Sequence, residues 1–148
     1  MRKFACAGML ALLWSATPSR LNAGAVEVPI VVLDVSTRST DVDAQAFRSI
    51  VDDAVGALDK SKLSRKAGVG LSVALVRMES RVAGGAEVRC TVSAVLRDRK
   101  KGTMFAAVEG SATGQDAPPR VRALEQETLR AAVGSAIARV PEAMRATK

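Results

Sequence analysis

Histidine is absent from this chain of 148 residues. That removes every Ser-His or Cys-His couple, the imidazole proton shuttle and histidine-ligated zinc. Tyrosine is also absent, and beyond residue 25 the only aromatics are Phe47 and Phe105. Two rings cannot build a platform for stacking successive bases, so no nucleic acid partner is expected. Cysteine occurs twice, as Cys6 and Cys90, too few for a structural zinc cluster. No Walker sequence is present, and Gly68-x-Gly70 lacks the third glycine of a dinucleotide loop. Gly70-Leu71-Ser72-Val73-Ala74 lacks the closing glycine of a nucleophile elbow, and Asp41-x-Asp43 lacks the Gly and terminal Glu of a calcium loop. No cofactor or metal is implied, and no enzymatic activity is expected.

The N-terminus carries an address. Arg2 and Lys3 precede an uncharged, mostly apolar run from Phe4 to Ala16, and Ala23-Gly24-Ala25 supplies a small-x-small cleavage site. Residues 1–25 therefore read as a secretory signal peptide cleaved after Ala25, with the mature chain, residues 26–148, beginning at Val26. A spanning anchor needs about 20 consecutive apolar residues, and this run breaks at Ser15, Thr17, Pro18, Ser19 and Arg20. Cys6 opens the run instead of following it, so it is not placed as a lipoprotein cysteine. No later stretch is long enough to span, so no transmembrane segment is expected after cleavage and the placement is periplasmic or secreted.

The formal net charge is +7, and cleavage takes away Arg2, Lys3 and Arg20 but no acid, leaving +4. That mild excess favours encounters with polyanions such as lipopolysaccharide or anionic lipid without specifying one. Cys90 remains alone, so no intramolecular disulfide is available. It alternates in phase with Val88, Val92, Ala94 and Leu96, which directs it into a core.

Residues 26–148 suit a single domain. Val28 to Val35 is a β-branched run, with Pro29 suiting an edge strand or the beginning of a strand rather than a central position. Thr40 and Asp43 have the spacing of a helix start, and Phe47, Ile50, Val51, Ala54, Val55 and Leu58 step by three and four, predicting a helix over 42–58. Lys60, Lys62, Arg65 and Lys66 suit its C-terminal end and a polar loop. Alternation then predicts strands from Val69 to about Glu79, from Ala86 to Arg97 across a turn at Gly84-Gly85, and from Thr103 to Gly110. In the last of these, two sets of residues compete for the inner face. Ser111 to Pro119 reads as a connector. A second helix starts near Pro119 or Arg120, carries the stripe Leu129, Ala132, Val133, Ala136, Ile137 and Val140, and ends at Pro141, leaving a short frayed C-terminal tail. The order β-α-β-β-β-α predicts an α+β two-layer domain: a four-stranded antiparallel or mixed sheet with two amphipathic helices on one face.

Two groups of residues are candidates for function. Arg97, Arg99, Lys100 and Lys101 surround the third turn with only Asp98 of opposite sign, an arrangement able to bind phosphate or carboxylate, although charged hairpin tips also serve solubility alone. Asp34, Asp52, Glu79 and Glu109 are the carboxylates on which a small hydrolase or transferase would have to rely, and that chemistry needs two of them to converge. Adjacent Asp52 and Asp53 point about 100° apart on a helix and do not.

The run Val88 to Leu96 with its turn, then Val108-Glu109-Gly110-Ser111-Ala112 and an alanine-rich closing helix over 123–138, resembles small exported bacterial α+β domains. These include the curli-secretion lipoprotein and the lipoprotein activators of penicillin-binding proteins. The resemblance covers the last half of the chain and carries over no binding residue. It implies action by binding or assembly at the cell envelope, through an envelope protein or self-association.

Overall fold

The computed structural model describes residues 30–63 and 68–147, so the signal peptide, the cleavage site at Ala25 and the cations Arg65 and Lys66 lie outside the described residues. The elements are β1 (Ile30–Thr37), α1 (Ala44–Gly56), β2 (Val69–Val82), β3 (Ala86–Asp98), β4 (Met104–Asp116), α2 (Val121–Ala138) and α3 (Val140–Ala146). The strands lie in the order β1-β2-β3-β4, with β1 parallel to β2 and the other pairs antiparallel. The result is an α+β domain with an open mixed sheet, in the element order read from the sequence and with one helix more.

β1 takes the expected edge position. A bulge between Val32 and Asp34 inserts Leu33, whose side chain lies over the backbone of Gly70 on β2. A Cβ on Gly70 would fall 2.3 Å from a Leu33 methyl, so this contact requires the glycine. α1 is capped by Asp43, whose carboxylate accepts from the Ala46 amide at 2.8 Å, and not by Thr40. The helix therefore starts at Ala44 and ends at Gly56, inside the expected 42–58. Lys60–Lys62 forms a separate 3-10 turn, held by Asp59, rather than the end of α1.

β2 runs on to Val82, because the reversal at residues 83–85 is tighter than expected, with Gly84 at φ 75° and Ala83 donating to the Gly85 carbonyl. β4 extends to Asp116, and the segment from Ser111 expected as a connector is strand. Its composition suggests a loop, but each residue finds a partner on the long β3, down to Asp116 opposite Ala86. The register resolves at a bulge between Leu96 and Arg97, which takes in Phe105 and leaves Ala106 opposite Leu96 and Val108 opposite Ala94. Pro141 does not end the helical region. It occupies the first turn of α3, where a missing N–H costs no hydrogen bond, and Val140 and Met144 are buried. The tail is thus part of the fold.

The core lies between the helices and one face of the sheet. Phe47 and Val51 of α1 and Leu129, Val133 and Ile137 of α2 meet Leu71 and Val73 of β2 and Cys90, Val92 and Leu96 of β3. Burying each large aliphatic or aromatic side chain contributes about 1.5–3 kcal/mol. Every residue of the expected α2 stripe is buried, and Arg120, Arg122 and Arg130 are exposed. Among the described residues no helix is long and apolar enough to cross a membrane.

Candidate functional site

The basic turn closes β3 onto β4. Asp98 organises it: its carboxylate accepts from the amides of Lys100 and Lys101 at 2.8 and 3.0 Å, and its carbonyl accepts from Gly102, which sits at φ 68°. Lys100 and Lys101 are exposed at the tip. Arg99 leans back, donating its amide to the Gly68 carbonyl at 3.1 Å and laying its side chain along Gly68. Arg97 stands opposite Met104 on the sheet. The four cations share one end of the sheet but differ in direction, and all are exposed.

The four carboxylates are not brought together. Asp34 follows the β1 bulge, Asp52 lies on α1 with its oxygen 3.8 Å from Arg48, Glu79 pairs with Arg77 on β2, and Glu109 is on β4. Each is exposed on its own element. Cys90 is 2 % exposed, and burial pushes its thiol up to about 11, so the sulfur stays protonated at neutral pH. Among the described residues no three His, Cys, Asp or Glu side chains are grouped to hold a metal.

Two features went unanticipated. The first is a groove of about 320 Å³ between α1 and α2, with Phe47, Ile50, Met78 and Leu129 beneath and Asp53, Arg122 and Arg130 at its margin. Pairing two amphipathic helices over Met78 creates it, and no linear signal marks it.

The second is the sheet face that carries no helix. Its central part carries mostly small side chains, with Ser72 and Ala74 on β2, Thr91 and Ser93 on β3, and Ala107 and Ser111 on β4, set around Val95 beside Ser72 and an exposed Glu109 opposite Ser93. At one end a bulge between Leu75 and Arg77 shifts the phase of β2, so that Arg77, Glu79 and Arg81 join this face. Glu79 then stands across from Arg89, and Arg81 from Glu87. Glu87 also accepts from Arg89 along its own strand at 2.8 Å. These four side chains surround a dimple of about 60 Å³. The signal was present in Arg77-x-Glu79-x-Arg81 and its reply Glu87-x-Arg89 about Gly84, but ending the strand near Glu79 concealed it.

No protein-family model matches the chain, and no curated protein matches its sequence. Solved structures do. Protein XCC0632 from Xanthomonas campestris superposes with a TM-score of 0.54 at 15% identity, covering 83% of this chain and 91% of that one. A lipoprotein candidate from Caulobacter crescentus gives 0.48 at 18% identity over 76% and 88%, and PelC from Paraburkholderia phytofirmans, crystallised as a dodecamer, gives 0.48 at 14% over 76% and 88%. The likeness to the Xanthomonas campestris protein is one of fold and does not show the curli-secretion lipoprotein or penicillin-binding-protein-activator families. At these identities the shared property is the architecture: the α+β fold of the Xanthomonas campestris protein is the fold of this chain.

Proposed function

We propose that this chain is an exported, non-enzymatic protein of the bacterial cell envelope that acts by protein assembly. The observation carrying this reading is the helix-free face of the sheet. Antiparallel sheets tolerate water on one side, but this side combines small, closely packable residues with an ordered set of paired charges. The leader-like N-terminus supports export, and the four candidate carboxylates stand on four separate elements, which offers no support to acid-base chemistry.

Fractionation of cells followed by cross-linking tests the proposal. The protein is expected in the periplasm or medium, starting at Val26, in cross-linked species larger than one chain. Cytosolic protein retaining its first 25 residues, or a single-chain species alone, would overturn it.

A second reading rests on the basic turn. Asp98 commits its carboxylate to the turn's own amides, leaving Lys100 and Lys101 exposed to meet anionic lipid or lipopolysaccharide. Such contact would add a surface-binding role to the same exported protein.

A further inference from the structure

We infer that the helix-free sheet face is occupied by a second copy of this chain, packed face to face about a two-fold axis. This rests on the assembly reading above and names its partner. Charge arrangement is the first argument. Arg77, Glu79 and Arg81 alternate in sign along β2, with Arg77 ion-paired to Glu79 and standing across from Thr91, while Arg89 and Glu87 stand across from Glu79 and Arg81 in the opposite order. Glu79, Arg81, Glu87 and Arg89 form a square in which like charges occupy the diagonals.

Such a square complements its own image. A two-fold axis lying between the two sheets and running along the strands places Glu79 of one copy over Arg89 of the other, and Arg81 over Glu87. The operation brings opposite signs together while keeping the whole face overlaid, the condition for an isologous interface. The dimple inside the square gives these side chains room to interleave.

Shape and size agree. Three strands of 13 or 14 residues and the eight-residue β1, at about 4.8 Å spacing and about 3.3 Å per residue, present roughly 760 Å² per copy, close to the amount a standard stable interface buries on each partner. Serines, alanines and threonines ring Val95 and Glu109 at the centre, so over most of this zone two twisted sheets approach without large side chains between them. Leu33, Val76 and Met104, each about half exposed or more, supply apolar area beside this zone.

Light scattering on the purified protein tests the inference, with two charge variants. Glu79→Arg with Glu87→Arg makes the square wholly positive, and Arg81→Glu with Arg89→Glu makes it wholly negative. The wild type is expected to have the mass of two chains at roughly 100 µM, within the range that interfaces of this size reach. Each double variant should run as a single chain, and an equimolar mixture should recover the two-chain mass. Ser93→Lys leaves the square intact and should weaken association at least about tenfold by crowding the centre.

A single-chain wild type at that concentration overturns the inference. So does a folded double variant that still pairs, or two folded variants that do not pair when mixed. If circular dichroism shows that a double variant has lost its fold, Ser93→Lys decides, and undiminished pairing overturns the proposal. Where the variants pair undisturbed while cross-linked species persist in the envelope, association uses another surface and the assembly reading stands. Where the wild type is monomeric and no cross-linked species forms, both fall.

Discussion

Gly110 of β4 lies so close under Ala136 of α2 that a Cβ on the glycine would fall 2.3 Å from the Ala136 amide nitrogen and equally near the Ala132 carbonyl oxygen. The helix rests on the sheet backbone itself at this point, and both atoms in the way are main chain. Gly110→Ala should therefore lower stability by about 1–3 kcal/mol or more through forced separation of α2 from β4. Gly134 is the matched control: it is exposed on α2, and a Cβ added there would meet nothing within 4 Å. Gly134→Ala should raise stability by about 0.5–1 kcal/mol, and chemical denaturation of the two variants checks both signs.

Met144 tests the C-terminal helix. It is 1 % exposed and belongs to the main core, although a helix ending at Pro141 would leave it in a frayed tail. Met144→Ala should cost about 2–5 kcal/mol in urea unfolding, the range for emptying a buried site of this size. A loss under about 0.5 kcal/mol would mean that α3 does not close the core.

The thiol of Cys90 yields a pH dependence. Its ordinary value of 9.0 rises to about 11 on burial. Above the lower value the unfolded chain gives up the proton while the folded chain keeps it, so unfolding gains and stability falls as pH rises from about 9 to about 11; below 9 the group has no effect. Cys90→Ala should remove that part of the alkaline slope. Iodoacetamide at about pH 8, where a buried protonated thiol is inert, should leave the folded protein unmodified and label one cysteine per mature chain in guanidinium.

For the basic turn, Arg99, Lys100 and Lys101 changed together to Ser should abolish retention on anionic vesicles or lipopolysaccharide. Wild-type retention should weaken as the Debye length shortens from ~10 Å at 0.1 M salt to ~3 Å at 1 M. Stability should change by less than about 0.5 kcal/mol. Salt-sensitive retention that survives the triple change would place the attraction elsewhere on the protein.

Periodicity made most of this fold legible. The stripe Leu129 to Val140 and the alternation Val88 to Leu96 are long enough to fix element type and buried face, and Cys90 followed from its phase. Ends were less legible, because they depend on partners. Ser111–Asp116 looks like a connector until β3 is placed beside it, and Pro141 reads as a stop until a second helix begins there. Asp43, not Thr40, caps α1, since both residue types suit an N-cap and only geometry chooses. The carboxylates and the basic turn were visible as residues, but their directions were not. The charge square depended on the bulge after Leu75, which shifts Arg77, Glu79 and Arg81 onto the other face.

The parallel pairing of β1 with β2 also sets an order of events. Each antiparallel strand finds its neighbour across a short turn, whereas Ile30 must find Val69 across the whole of α1. Closing that longer loop demands more chain entropy before any contact rewards it. On that ground β1 is expected to close last, after the three-stranded meander and α2, and valine-to-alanine changes within 30–35 should speed unfolding more than they slow folding.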